Sequence, residues 1–417
     1  MQAFVNDQTF ALELSDTQLV AGQPTTAALP GTRLSDPTRL QLAVITRLAQ
    51  FEALESEWNA LFARVARSSQ VFQSFNWLWH WVNHYLNDRM CLSVVTGRLD
   101  GRLVMVWPLI VRNLVAVRQL SWMGEPTIEY GDILIDQSSE SRHLVHQAWG
   151  MLKSLDIDLI YLRKVRSDAM IAPFLAEFGT KCIEFSSAPY LSLAGTRNFE
   201  LYELRYTAKT RANHRRHLRR LNETGSIAFV ENREGPVARE LANHALEMKR
   251  GWLVREGRFS RVLQDPRFAG FLRDIANGET RPVGARLCAV CCDGAPIAIE
   301  ISIAHRDRVF GHLIVQDPRF KKQGLGRILA QYSIATAHQQ GFAIYDLLAP
   351  DDDYKMDWAD GSVGLCDYAC PVSPLGRVHA GIWLGYVRPW AKSFVNGKPG
   401  KYILRKMAGL RRLLHAE

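Results

Sequence analysis

The chain has 417 residues, of which 47% are hydrophobic and 22% charged, and its formal net charge is +9. This length predicts two domains. The composition is that of a globular protein: no apolar run reaches the eighteen or more residues of a membrane span, and the first residues lack a secretory signal. The seven cysteines are an odd number scattered along a long chain, which favours reduced thiols in the cytoplasm over a disulfide framework.

The positive charge is concentrated in two stretches. Residues 197–220 carry eight Lys/Arg and two Asp/Glu, and residues 381–417 carry eight Lys/Arg and one Glu, so the rest of the chain is net negative. Such local basicity predicts contacts with an anionic partner, which could be CoA, an acidic glycan, nucleic acid or a membrane surface.

The first half begins with residues 1–38, which lack sustained periodicity and are expected to form a poorly ordered leader. An aromatic helix over 75–85 is expected to lie in the core, because such a stripe is more typical of packing than of a cofactor site. Asp100-Gly101 predicts a tight hairpin. The other predicted elements are a strand at 40–45, a helix at 51–65, strands at 91–96, 103–110 and 133–135, a helix at 142–154, a strand at 158–164, a helix at 169–178 and a strand at 181–193.

The second half repeats this order around a second hairpin signal, Asp293-Gly294. Its predicted elements are a basic helix at 205–221, a strand at 227–230, helices at 236–252 and 266–277, strands at 286–292, 296–304 and 308–315, a glycine loop and helix, strands at 342–348 and 363–370, and helices after 381. We therefore predict an α/β protein of two tandem domains, 39–195 and 196–380, followed by a basic helical tail, 381–417.

The glycine loop reads Lys321-Lys322-Gln323-Gly324-Leu325-Gly326 and directly precedes a helix. Backbone amides that glycines free at a helix start form a phosphate cradle, which the helix dipole favours. The pattern is neither the three-glycine dinucleotide fingerprint nor a P-loop. A tight packing turn is the alternative.

This order of elements resembles the GNAT acyltransferase fold, whose acyl-CoA motif Arg/Gln-x-x-Gly-x-Gly/Ala is similar to Lys321-x-x-Gly324-x-Gly326. The tandem arrangement resembles FemAB-type proteins. The stretch from Gly324 through Asp346-Leu-Leu to Tyr354-Lys355 resembles the CelD/BcsL family of cellulose and exopolysaccharide biosynthesis, although Ala349 replaces the glycine that is common after this strand. The arginine-rich helix at 209–220 also fits that family.

The resemblance implies direct acyl transfer from acetyl-CoA or another acyl-CoA to an amine or hydroxyl of a saccharide or envelope-polymer precursor. The second domain is expected to be catalytic, and the first to be a degenerate copy that completes the acceptor cleft. Alternatives are a FemAB-like transferase that uses aminoacyl-tRNA, and a non-catalytic accessory protein of a polysaccharide synthase.

The residues expected to bind CoA surround the loop. The resemblance implies that the pyrophosphate contacts Lys321, Lys322, Gln323, Gly324, Leu325, Gly326 and Arg327. The alternative for the two lysines is simple solvation. A backbone N–H on the strand 310–315 is expected to polarise the thioester carbonyl.

Four side chains are candidates for proton transfer. Tyr354 is placed as the acid that protonates the leaving thiolate, the alternative being a tyrosine packed at the sheet edge. Glu300, an acid in an apolar strand, is the first candidate for the base, unless it faces water. His312 and Asp346 follow, with structural roles as their alternatives. Substrate binding is assigned to Lys355, Arg215 and Arg216, and Lys355 could instead pair with Asp346.

Two further features are weaker. Cys288-x-x-Cys291-Cys292 lies in a predicted strand, whereas zinc ligands favour turns, so no metal is predicted. The basic helix has few aromatic residues, so phosphate or acidic-glycan contact is favoured over nucleic acid. We expect a cytoplasmic protein. Peripheral association with the inner face of the membrane or with a synthase remains an alternative, and a basic helix at 402–414 could provide it.

Overall fold

The computed structural model describes residues 39–232, 234–278 and 284–396. The predicted leader, 1–38, and the predicted helix at 402–414 lie outside these residues. No helix among the described residues is both long enough and apolar enough to cross a membrane.

The first half contains nine strands, five α-helices and a 3₁₀ helix, Ser68–Gln73, in the described chain. The strands are β1 (Leu40–Ile45), β2 (Met90–Leu92), β3 (Val94–Leu99), β4 (Arg102–Trp107), β5 (Leu109–Asn113), β6 (Arg118–Trp122), β7 (Leu134–Ile135), β8 (Leu159–Arg166) and β9 (Lys181–Ser192). The helices are α1 (Leu48–Ala53), α2 (Glu55–Val65), α3 (Phe75–Tyr85), α4 (Ser141–Ser154) and α5 (Ala172–Glu177).

The second half follows in a similar order. Its strands are β10 (Ile227–Asn232), β11 (Gly284–Cys292), β12 (Ala295–His305), β13 (Arg308–Gln316), β14 (Ile344–Asp346) and β15 (Gly361–Pro371). Its helices are α6 (Phe199–Glu203), α7 (Ala208–Asn222), α8 (Gly235–Glu256), α9 (Arg261–Gln264), α10 (Pro266–Ala276), α11 (Leu325–Gln339), α12 (Asp353–Met356), α13 (Pro374–Val378) and α14 (Arg388–Asn396). A π-helical segment, His379–Val387, joins α13 to α14.

The strands form a small and a large sheet. The small sheet has the order β1-β3-β4-β7, and the large, mixed sheet has the order β10-β11-β12-β13-β14-β9-β15-β8-β6-β5-β2. Each half contributes one parallel pair, β6 with β8 and β13 with β14. The predicted tandem α/β fold is confirmed.

The two halves exchange a strand at the centre of the large sheet. Strand β9, from the first half, pairs with β14 of the second half, and β15, from the second half, pairs with β8 of the first. The exchanged strands also pair with each other along most of their length. The boundary predicted near residue 195 falls in the connection after β9 and stays a prediction.

Both predicted hairpins are confirmed, and their backbone shows why these residues are needed. The φ angles are +51° at Asp100, +78° at Gly101, +50° at Asp293 and +81° at Gly294, the left-handed values that a two-residue type I′ turn requires. The run predicted as one strand at 103–110 is two strands, β4 and β5, because Pro108 lies between them and cannot donate to a ladder.

The aromatic helix α3 is confirmed as core. Trp77 and Trp81 are fully buried, and the Trp81 indole donates to the carbonyl of Glu125.

The expectation of reduced thiols is wrong for one pair of cysteines. The register of β9 and β15 brings the Cα atoms of Cys182 and Cys366 within 5.8 Å, a separation that permits a bond, and the two residues form a disulfide.

Candidate active site

The glycine loop packs tightly against the basic helix α7. Gly324 has a φ of +68° and caps the start of α11. A Cβ atom at this position would lie 2.5 Å from Nδ1 of His217 on α7, so both the backbone angle and the contact require glycine. The packing-turn alternative therefore holds in part, because the loop is a close contact between helices as well as a helix start.

Two amides remain available at this helix start. The Gly324 N–H donates to the Lys321 carbonyl at 3.2 Å, and the Arg327 N–H donates to the Gly324 carbonyl at 2.9 Å. Within the described chain, the N–H groups of Leu325 and Gly326 have no backbone acceptor. The phosphate cradle over residues 323–327 stays a prediction. The Gly324 and Arg327 amides are already used, whereas the N–H groups of Leu325 and Gly326 are available to it.

Several polar side chains around the loop lack partners. In the described part of the molecule, Nδ1 of His217 and the amide oxygens of Gln316 and Gln323 are buried without a hydrogen bond. Lys321 and Lys322 are exposed beside them and form no ion pair among the described residues. Buried polar atoms without partners are costly, so this group fits a polar ligand, and the free amides and lysines fit its phosphates.

The strands beside the loop part to form an opening. Strands β13 and β14 pair over three residues only, from Arg308–Ile344 to Phe310–Asp346. Beyond that point the register of β13 with β12 shifts by one residue, which makes His312 the extra residue of a β-bulge. The last residues of β13 therefore have an edge that β14 does not cover.

Ile314 presents its backbone to this opening. Its carbonyl accepts a hydrogen bond from Nζ of Lys249 at 2.9 Å, although Ile314 is the register partner of Glu300 on β12. Because the N–H and C=O of one strand residue point to the same edge, the Ile314 amide also faces the opening. A backbone donor on residues 310–315 is what the resemblance to the GNAT fold implies, and its role stays a prediction.

Lys249, on α8, is a residue that the sequence analysis did not single out. Its Nζ lies 4.7 Å from the ring centroid of Trp252, and burial, followed by the charges of Arg258 and Lys355, lowers its pKa. A signal was present, since Lys249 continues a helical stripe that includes Ala242, Ala245, Leu246 and Leu253, all of which are buried. Burying a lysine in such a stripe costs free energy unless its ammonium group has a partner.

His312 lies between the two halves of the molecule. Its ring is 6.1 Å from that of Trp77 and 6.3 Å from that of Phe268, and its Nδ1 is buried without a partner in the described structure. Burial lowers the pKa of His312, an effect that the charge of Glu129 opposes and that of Lys164 supports. The imidazole is therefore neutral at physiological pH and has an unused nitrogen.

Glu300 is held in a closed polar network. It is 1% exposed, and its Oε1 accepts hydrogen bonds from Ser333 at 2.7 Å and from Tyr345. Burial raises the pKa of Glu300, whereas Tyr345, Arg286 and Ser333 lower it. The side chain does not face water and has almost no accessible surface for an acceptor in this structure.

Tyr354 and Lys355, which follow β14, differ in solvent exposure. Tyr354 is 57% exposed, and the protein around it, followed by Asp352 and Glu300, raises its pKa. Lys355 is 8% exposed and donates to the carbonyls of Leu348 at 2.8 Å and Pro350 at 2.9 Å. Tyr354 can thus meet a ligand, while Lys355 holds the turn that follows β14.

Asp346 is a structural carboxylate that joins the halves. Its oxygens accept hydrogen bonds from Tyr130 at 2.7 Å, Arg166 at 3.2 Å and Arg308 at 2.9 Å. The N–H of Leu348 is a fourth donor at 3.0 Å. With four donors and 1% exposure, this group has no free position from which to take a proton from an acceptor.

Helix α7 exposes a basic surface next to the loop. Arg215 and Arg216 are exposed and form no ion pair among the described residues, as is also true of Arg219 and Arg220. The structure thus leaves the two predicted substrate contacts free to bind an anion.

The cysteine cluster has no metal-site geometry. Among the described residues, no group of three or more His, Cys, Asp or Glu side chains could hold a metal ion. Cys288 is fully buried, and burial raises the pKa of its thiol to about 12.

Comparison with known proteins supports an acyltransferase-like fold. Residues 208–356 match the family described as an acetyltransferase (GNAT) domain, and a search of curated proteins finds no match. The structure of FemX is similar, with a TM-score of 0.56 and 12% identity over 79% of this chain and 96% of FemX.

Two other solved structures are similar over most of their length. L-PGS from Bacillus licheniformis has a TM-score of 0.49 and 12% identity over 76% of this chain and 91% of its own. A tandem GNAT protein from the clavulanic acid biosynthesis pathway has a TM-score of 0.45 and 13% identity over 80% of this chain and 99% of its own.

Proposed function

We propose that this protein is an acyltransferase that takes an acyl group from acyl-CoA and passes it directly to an amine or hydroxyl. The observation that carries the proposal is the opening between β13 and β14, which lies directly before a helix start with two free amides. Adjoining segments of the chain would then contact a thioester in the opening and a pyrophosphate at the helix start. The match of residues 208–356 to an acetyltransferase domain supports this reading.

The chain's own groups fit the polar requirements of the transfer. The acceptor's nitrogen or oxygen attacks the thioester carbonyl, the bond from carbon to sulfur breaks, and the CoA thiolate takes a proton. We assign the Ile314 amide and the Lys249 ammonium as the donors that stabilise the charge on the carbonyl oxygen, which the contact between Lys249 and the Ile314 carbonyl supports. Tyr354 is the exposed acid for the thiolate.

We assign the base to His312 rather than to Glu300 or Asp346. The lowered pKa of His312 keeps it neutral, and its Nδ1 is free in the described structure to receive the acceptor's proton. The two carboxylates are closed in hydrogen-bond networks. His312→Gln should lower kcat by about 10²- to 10⁴-fold while acyl-CoA binding is retained.

For the acceptor we propose a saccharide or envelope-polymer precursor bound between the halves. This class comes from the resemblance of the stretch 324–358 to the CelD/BcsL family. Glu129 and Lys164 of the first half form an ion pair, and the charges of both act on the pKa of His312. An acceptor with several hydroxyls could hydrogen-bond to these two side chains.

The first experiment is calorimetric titration of the full chain with acetyl-CoA and longer acyl-CoAs. The double variant Lys321→Glu/Lys322→Glu should lose binding, because both side chains are exposed and their reversal places negative charge at the cradle. Lys153→Glu, an exposed lysine on α4, is the matched control. No binding by the wild-type chain, or equal binding by all three proteins, would overturn the proposal.

A second candidate is transfer from aminoacyl-tRNA, which the exposed and unpaired arginines of α7 favour. It predicts saturable tRNA binding that falls steeply with salt and is lost in Arg215→Glu/Arg216→Glu. Titration with tRNA is therefore the next measurement if acyl-CoA does not bind.

A further inference from the structure

The last helix of the described chain turns an apolar surface outward. Pro374–Val378, the π-helical segment and Arg388–Asn396 run on without a break, and we call the whole the C-terminal helix. Eight of its large hydrophobic side chains are exposed: Leu375, Val378, Ile382, Trp383, Tyr386, Val387, Trp390 and Phe394. Most follow each other at three- and four-residue spacing, so they lie along one side, which we call the outer face.

The opposite side of this helix is fixed to the large sheet. Ala380 and Leu384 pack on a small cluster formed by β8 and β15. A Cβ atom at Gly376 would lie 1.8 Å from the Asp158 carbonyl, so the helix meets the sheet backbone directly. Arg388 donates to Tyr161 and to Glu184, each at 2.9 Å. The outer face is thus held outward by packing on the inner side.

A groove lies between the C-terminal helix and β9. It has a volume of about 550 Å³, and its walls include Phe185 of β9, Leu384 and Pro389. Phe185 is itself 72% exposed. The apolar surface is therefore wider than one helix, and Arg388 stands at its edge.

Charge and residue type together indicate what covers this surface. Residues 374–417 carry nine Lys/Arg and one Glu, and six of these Lys/Arg follow Asn396 in the sequence. A second copy of the chain would bring two such basic segments together in a symmetric contact, which repulsion disfavours. Trp and Tyr prefer the boundary between lipid headgroups and acyl chains, and clusters of Lys/Arg beside them bind anionic lipid.

We propose that the outer face docks on an anionic lipid bilayer. The C-terminal helix lies in the plane of the headgroups, with its tryptophans and Tyr386 in the acyl-chain boundary, and the excess of Lys/Arg in residues 374–417 favours anionic lipid. This inference does not depend on the acyl donor, because none of its residues belongs to the candidate active site.

The test is co-sedimentation of the full chain with vesicles of phosphatidylcholine, with and without about 30% phosphatidylglycerol. The wild-type chain should bind the anionic vesicles at least about tenfold more tightly, and binding should weaken in about 0.5 M salt. Trp383→Ser/Trp390→Ser should lose at least about tenfold in affinity. Trp79→Ser, an exposed tryptophan on α3, should bind as the wild type does and is the matched control.

Two additional variants keep the result clear. Tyr386→Ser removes a side chain that is 77% exposed, so it weakens binding without unfolding the chain, as circular dichroism would verify. A chain that ends at Asn396 should also bind anionic vesicles less tightly.

Four outcomes would overturn the proposal: equal binding to neutral and anionic vesicles, unchanged binding by the tryptophan variants, tighter binding after removal of residues 397–417, or a wild-type dimer that the tryptophan variants convert to monomer. The third outcome would mean that the chain's own end covers the outer face, and the fourth that a second copy does.

Discussion

Asp346→Ala should be among the most destabilising single substitutions in this chain. The carboxylate is 1% exposed and contacts two guanidinium groups, those of Arg166 and Arg308, whose side chains are 3% and 9% exposed. Removing it leaves two buried positive charges without this partner and the Tyr130 hydroxyl without its acceptor. Breaking a buried pair in this way costs about 3–5 kcal/mol, and the second arginine places the expected loss at the upper end.

The assay is equilibrium unfolding in urea, monitored by circular dichroism, for the wild-type chain and two variants. Asp168→Ala is the matched control, because Asp168 also binds Arg166 but its side chain is 53% exposed, so its loss should cost at most about 1 kcal/mol. A loss below about 1 kcal/mol for Asp346→Ala, or equal losses for both variants, would refute the reasoning that this carboxylate holds the halves together.

Two further predictions concern stability. Burial lowers the pKa of His305 to about 4, so the folded state is favoured above the ordinary pKa of about 6.5 and loses about 2 kcal/mol of stability as the pH falls to about 5. His305→Phe should reduce that acid loss, measured by urea unfolding at neutral and acid pH, and an unchanged pH dependence would contradict it. Gly324→Ala should cost about 1–3 kcal/mol, because a φ of +68° and a contact of 2.5 Å with His217 both oppose a side chain. Gly341→Ala, with a φ of +81° and no atom near its Cβ, should cost about 1 kcal/mol, and equal falls in Tm would argue against the His217 contact.

Local patterns were enough to predict most elements of the fold. The Asp-Gly pairs identify both hairpins, since few other residues adopt two successive positive φ angles. The helix after the glycine loop and the strand β14 follow from apolar spacing and from Gly341, whose φ of +81° ends the helix. These features depend on residues that are close together in the sequence, so the sequence alone is enough to predict them.

The strand exchange could not be predicted from the sequence. The composition of β9 and β15 predicts that both are strands. Nothing in their residues identifies the strand with which each one pairs. The same limit applies to Glu300. Alternation places it opposite Ile299 and Ile301, but both faces of β12 are buried, so the pattern cannot distinguish a water-facing acid from one enclosed by Ser333 and Tyr345.

The candidate site stays a prediction, and the structure shows which of its groups are available for it. The loop before α11 is where the motif places it, but contacts across the chain decide which of its amides are free. Gly324→Glu, the natural choice for blocking a cradle, would also drive a side chain into His217, so reversal of Lys321 and Lys322 is the cleaner variant. Lys249 and Ile314 come together only in three dimensions.

The exchange of β9 and β15 has a consequence for synthesis on the ribosome. Strand β8 emerges with one edge that only β15 covers, and β15 ends at Pro371, about 200 residues later. At a translation rate of roughly 5–20 residues per second, that edge of β8 stays unpaired for about 10 to 40 seconds before β15 is complete. An open strand edge is a template for pairing with another chain, so this protein passes through a period when nascent copies can join one another. Slower translation of the second half should therefore lower the yield of folded monomer.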